Sequence, residues 1–169
     1  MLMMSVKSGQ LTCRTGDHGQ EPSSSVFPVN LRVGGGVKAA AGNTPFPNVI
    51  IEVAYKNESL SRFRAKLERW MNPAYSLVQV AIGIKLFYGP IDSRRVAILH
   101  RRGEPIQEVE FGLDQARPAP LTMSFPLGAI YLGAAIPPTL ASHEHDPITI
   151  DLIELREVIN IAVQDELDV

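Results

Sequence analysis

Cysteine is nearly absent. The single one, Cys13, excludes an intrachain disulfide, and with it the cross-linked framework of a small secreted scaffold. It stands in a polar segment with no obvious metal-ligating neighbours, so it reads as an unspecialised thiol. Long apolar runs are missing too. No stretch approaches the roughly twenty apolar residues that cross a bilayer as a helix, and the opening MLMMSVKSGQ holds too short an apolar piece for a secretory signal. Nor is there an excess of charge of one sign. The formal net charge of −2 excludes an overall basic nucleic-acid footprint, while leaving room for a local basic patch. Together these absences point to a soluble, intracellular protein with no membrane partner, cytoplasmic unless DNA is its substrate, in which case nuclear.

What is present is ordinary folding signal. Apolar residues make up 45% and charged residues 20%, the balance of a globular chain, and 169 residues suit one domain. Residues 1–24 are polar and aperiodic and are expected to form a loose segment ahead of a single domain over 25–169. VFPVNLRV (26–33) reads as a short strand, and the glycine- and proline-broken stretch 34–47 as a loop. NVIIEVAY follows as a strand rich in β-branched residues and apolar enough to be covered on both faces. Leu60, Phe63, Leu67, Trp70 and Met71 then recur at helical spacing, which predicts a helix over about 59–71, started by Asn57 or Ser59 and stopped at Asn72-Pro73. SLVQVAIGIKLF (76–87) reads as a long strand. RRVAILHRRGEPIQEVEFG reads as a hairpin with strands near 94–101 and 106–111. The proline-rich stretch 112–147 offers little regular signal. PITI supplies a last short strand, and Asp151 with Glu154 opens a C-terminal helix with Leu152, Leu155, Ile159 and Ala162 on one face. The order of elements predicts an α/β fold: a mixed central sheet flanked by helices.

One residue breaks the pattern. Glu52 lies within the apolar run Val49-Ile50-Ile51-Glu52-Val53-Ala54. Alternate residues of a strand share a face, so Asn48, Ile50, Glu52, Ala54 and Lys56 form a mixed face, and Val49, Ile51, Val53 and Tyr55 form what reads as plain core. A carboxylate in apolar surroundings needs a lysine, an arginine or a metal ion, because unpaired it costs several kcal/mol. Lys66, at the border of the apolar helical stripe, can aim its amine along the sheet toward Glu52. It can equally lay its stem on the core and send its head to water.

The run PFPNVIIEVAYKNESLSRFRAKLERWM followed by VQVAIGIKLF resembles the PD-(D/E)XK nuclease superfamily, and more closely its eukaryotic restriction-endonuclease-like branch. PITIDLIELREVI resembles that branch as well, so the likeness spans roughly residues 45–155. It implies a restriction-endonuclease-like core and Mg²⁺-dependent hydrolysis of DNA phosphodiesters. Carboxylates on adjacent strands would hold the metal, and a lysine would stabilise charge or position water. Glu52 matches the family's glutamate. The lysine normally two residues beyond it is Ala54 here, so the resemblance transfers that role to Lys66 or Lys56. The aspartate's place falls on Ser23, within EPSSSVFP, or on Asn48; with Glu52 these complete the implied metal set, yet neither carries a charge. The helix that usually opens this fold is not evident before residue 20, so the N-terminal part of the core is expected to be incomplete.

Two further groupings have a chemical reading. His143, Glu144, His145 and Asp146 could ligate a transition metal, but no distant ligand at a recognisable spacing supports this, and a solvated loop accounts for them. HRRG (100–103), holding Arg101 and Arg102 with Arg94 and Arg95 nearby, concentrates positive charge on the hairpin; Arg95 and Arg101 could share one of its faces, where phosphate contact competes with simple exposure. VGGGVK lacks the Gly-Lys-Ser/Thr ending of a phosphate loop. Two functions therefore stand open: a Mg²⁺-dependent nuclease with a degraded acidic motif, or a non-catalytic interaction module in which Glu52 and Lys66 form a structural ion pair.

Overall fold

The computed structural model describes residues 4–8, 13–15, 18–28, 46–55, 58–87, 94–112 and 121–167. Its main sheet has six strands: β1 (Met4–Ser8), β4 (Ser24–Pro28), β5 (Val49–Tyr55), β6 (Val80–Leu86), β7 (Arg95–Arg101) and β8 (Gln107–Glu110), adjacent in that order. Between β1 and β4 lies a small antiparallel pair, β2 (Cys13–Thr15) and β3 (His18–Gln20). β5 and β6 run parallel, and every other neighbouring pair in the main sheet is antiparallel. This is an α/β architecture with a mixed sheet. A parallel pair needs a crossover, and helix α1 (Leu60–Met71) supplies it.

α1 forms where the periodicity places it. The Ser59 hydroxyl accepts the Arg62 amide at 3.3 Å and caps the first turn; Asn72 turns extended ahead of Pro73 and ends the last. Phe63, Leu67, Trp70 and Met71 are buried against Ile50, Ala54, Ala81, Val96 and Ile98 on one face of the sheet. The opposite face buries Val49, Val80, Ile82, Ile84, Ala97 and Leu99 under a second layer. That layer is built from the antiparallel pair β9 (Thr122–Pro126) and β10 (Pro147–Asp151), the 3₁₀ turn Leu127–Tyr131, and helix α2 (Leu152–Leu167). The α2 start is capped by Asp151, whose Oδ1 accepts the Ile153 and Glu154 amides at 2.8 and 3.2 Å.

Several expectations need correction. The lead-in 1–24 is not without structure: β1 adds to the sheet edge along β4, and β2–β3 pair with each other. Within the stretch 112–147 there is a strand, β9, whose Met123 and Phe125 are buried. Its partner β10 lies beyond a long insertion, which no local pattern could reveal. The strand expected over 76–87 starts at Val80, because Ser76 Oγ takes the Val78 amide and Gln79 Nε2 bonds the Leu77 carbonyl; these side chains compete with ladder pairing. The strand expected over 26–33 is β4, ending at Pro28; 29–33 lie outside the described residues, as does the loop at 34–45.

Candidate functional site

On β5 the two faces exchange the roles read from sequence. Glu52 lies on the face that packs under α1 and is completely buried, while Val53, expected in the core, is 47% exposed. Glu52 is therefore not at the mouth of a groove. It sits under the helix in a closed shell of donors. Lys66 Nζ donates to Oε2 at 2.7 Å, and Trp70 Nε1 donates to Oε1 at 2.7 Å. The Ser23 hydroxyl donates to Oε2 at 3.4 Å and accepts the Val53 amide at 3.0 Å.

Each partner arrives by simple geometry. Lys66 and Trp70 are one helical turn apart on α1 and so point from the same side. Ser23 directly precedes β4, in which Ser24 pairs with Ile51, so it comes up beside Glu52. Across β6, Glu52 pairs in register with Gly83. The absence of a side chain there lets α1 settle: a Cβ on Gly83 would lie 2.5 Å from Leu67 Cδ1 and 3.0 Å from Phe63 Cε1. The helix therefore rests directly on the sheet and seals the carboxylate from above.

The expected residues divide as follows. Ser23, Glu52 and Lys66 come together. Asn48 does not: it lies in the bend before β5, leaves the alternation, and donates to the Ile130 and Leu132 carbonyls at 2.6 and 3.0 Å on the opposite side of the sheet. Lys56 lies outside the described residues. Two relevant residues escaped the sequence reading. Trp70 falls on the apolar stripe, yet a buried indole N–H requires an acceptor, and Glu52 supplies it. Lys85 is 1% exposed on β6 and pairs in register with Ala54. Its ammonium lies 5.3 Å from the Phe87 ring centroid. The sign available in sequence was parity, since Lys85 alternates with Ala81 and Gly83 beneath the helix.

This donor set does not fit Mg²⁺. The ion wants several anionic or strongly polar oxygens in an octahedral shell. Here one carboxylate is present, both its oxygens are engaged, and its neighbours are an ammonium and an indole N–H that can only donate, and a single neutral hydroxyl. A cleft of about 480 Å³ beside α1 is lined by Gln20, Glu58, Arg62, Lys66 and Arg69 among others, but not by Glu52. Lys66 stands between that cleft and the carboxylate. Among the described residues no group of three or more His, Cys, Asp or Glu side chains is assembled to hold a metal.

The remaining groupings have partners within the fold. His143 Nδ1 lies 2.6 Å from Asp146 Oδ2 at the end of the 3₁₀ turn Pro138–His143, with both side chains more than half exposed. The hairpin arginines do not form one open basic patch. Arg101 pairs with Glu104 at 3.3 Å. Arg95 is 8% exposed and directed at α2, with Nη1 donating to the Arg156 carbonyl at 3.1 Å and Nη2 to Asn160 Oδ1. Arg94 stacks on Phe87, its guanidinium carbon 3.8 Å from the ring centroid. Arg102 clamps the Val78 and Ser76 carbonyls that lead into β6. Burial holds the His100 imidazole below its ordinary pKa, opposed by Glu68 and reinforced by Arg102.

No protein-family model, curated protein or solved structure matches this chain. No helix among the described residues is long and apolar enough to cross a membrane.

Proposed function

We propose that this chain is a non-catalytic interaction module on a PD-(D/E)XK-like scaffold, in which the former acid–lysine pair has become a structural ion pair. The observation that carries this reading is the complete burial of Glu52, with both oxygens held by Lys66, Trp70 and Ser23. A metal-dependent nuclease must present carboxylate oxygens to a cation and a phosphate. Here they are presented to a lysine and an indole. The nuclease lineage gains support from the same cluster: Ser23 stands beside Glu52 where the resemblance places an aspartate, and Lys66 reaches it from the following helix. What is missing is the second negative charge. Without it, the carboxylate is better stabilised by the ammonium already in place than by a dication that would have to displace it.

The test is calorimetric titration with Mn²⁺ and Mg²⁺, run beside plasmid cleavage, on the wild type and on Glu52→Gln. The expected outcome is no saturable metal heat, no metal-dependent cleavage, and a lower unfolding midpoint for the variant. Metal binding that disappears in Glu52→Gln, accompanied by cleavage, would return the chain to the nucleases.

A further inference from the structure

On the sheet face away from Glu52, the geometry points to a binding site for a phosphate dianion, inorganic or carried on a phosphomonoester, where Arg95 and Arg156 meet at the end of the hairpin.

Arg95 opens β7 on the side covered by α2. The residue is 8% exposed, and its acceptors, the Arg156 carbonyl and Asn160 Oδ1, are both neutral. Arg156 is half-buried one turn earlier on the same helix face as Asn160. Its Nη1 reaches the Gly112 carbonyl at 3.4 Å, again a neutral group. Gly112 follows Phe111, whose amide bonds the Arg95 carbonyl at 2.9 Å. The start of β7, the end of the hairpin and the middle of α2 thus meet at one point, with Arg95 anchored to α2 and Arg156 to the residue that follows the hairpin's second strand. Neither forms an ion pair with a carboxylate among the described residues.

Two neighbouring positive charges, one almost fully buried, are costly without compensation. The proximity is electrostatically felt: after burial, the charge of Arg156 is the second cause that lowers Arg95 below the ordinary arginine range. Carbonyl acceptors satisfy some N–H groups but cancel no charge. Each guanidinium presents five N–H donors in a planar fork, a geometry that matches tetrahedral oxyanions. Arg156 commits one of its five to Gly112, which leaves donors for a ligand. Charge decides among the oxyanions. A net of two positive charges is matched by a phosphate group carrying about −1.5 to −2 near pH 7, better than by a carboxylate or a phosphodiester of single charge. The site lies across the sheet from the carboxylate cluster, so it is independent of the fate of Glu52.

The experiment is titration of the intact chain, followed through amide resonances of Gly112 and Asn160, with inorganic phosphate, ribose 5-phosphate, dimethyl phosphate and acetate at matched ionic strength. Saturable shifts at these two amides are expected with inorganic phosphate or the monoester, and the tighter of those two identifies the source. Dimethyl phosphate and acetate are expected to bind at least about tenfold more weakly, the loss of one charge-assisted contact. Arg156→Gln is expected to weaken phosphate binding by a similar factor. In phosphate-free buffer the same variant should unfold no earlier than wild type, because it removes a like charge. A lower midpoint for Arg156→Gln in that buffer would assign Arg156 to holding Gly112 and overturn the proposal. So would equal binding by acetate, unchanged phosphate affinity in the variant, or no saturable shift with any phosphate.

Discussion

Glu52 and Lys66 form an asymmetric pair, and the asymmetry sets what their substitutions cost. The carboxylate side chain is fully buried and the lysine side chain 29% exposed. Lys66→Met leaves a charged oxygen pair in the core with Trp70 and a distant serine as partners, which is expected to cost about 3–5 kcal/mol. Glu52→Gln is milder, about 2–3 kcal/mol, since the released ammonium can turn to water and the amide can still accept from the indole. Trp70→Phe keeps the ring's bulk but strips one donor, for about 1–3 kcal/mol. Urea unfolding of the three variants should rank them in that order, and a larger loss in Glu52→Gln than in Lys66→Met would mean that the lysine, not the acid, is the poorly solvated partner. Cys13 offers a second check on burial. It is fully buried, and desolvation raises its thiol pKa to about 12. In native protein at pH 8 it should resist a maleimide or disulfide reagent, and react once denatured; prompt native labelling would show the β2–β3 pair opening. The need for a partner to Glu52 is legible from its apolar neighbours, and the border position of Lys66 on the helical stripe puts an amine within reach. Which way the carboxylate faces is not, because alternation fixes which residues share a face but not which face meets the helix.

Among the elements, the β5–α1–β6 unit is the part that sequence specified best, because three independent signals agree: β-branched runs, a helical stripe, and a Ser59 cap before an Asn72-Pro73 stop. What sequence did not reveal is how closely the helix approaches. Gly83 permits that approach, and its replacement by alanine forces Leu67 and Phe63 away from the strand. An overpacking cost of about 1–3 kcal/mol is expected, and the Trp70–Glu52 contact should loosen with it. Trp70 is the chain's one tryptophan, so a red shift of its emission in Gly83→Ala, without loss of cooperative unfolding, would report the displacement. An unshifted emission with unchanged stability would mean that the helix has slack over β6. The α2 start is equally local. Asp151→Ala removes the acceptor for two amides and should cost about 1 kcal/mol, which a thermal melt can resolve. β9 shows the opposite situation: Met123 and Phe125 are buried only because β10 arrives from twenty residues downstream, a non-local pairing that no window of sequence contains.

At the scale of the whole molecule, the gap between α1 and the β7–β8 edge shows how the layers respond to acid. His100 lies there on β7, in a cleft of about 390 Å³ whose walls include Arg64, Glu68 and Glu108. Arg64 and Glu108 bridge helix to sheet at 2.6 Å, but both are substantially exposed, so the bridge closes the gap without contributing much stability. The imidazole is different. Burial disfavours its charged form, the neighbouring Glu68 partly offsets this, and Arg102 adds to it, leaving the folded pKa below the ordinary 6.5. The unfolded chain therefore takes up its proton at a higher pH than the folded chain does. Stability is fully present above pH 6.5 and is lost progressively as the pH falls from there through the lower folded value. Carboxylates elsewhere also titrate as acid is added, so the contribution of His100 must be read as a difference. Urea midpoints measured from pH 7.5 down to pH 5 should fall more steeply for wild type than for His100→Gln, with the two curves parallel above pH 7. Parallel curves throughout would place the imidazole in water, and a steeper fall in the variant would make Glu68 its dominant neighbour and reverse the sign of the shift.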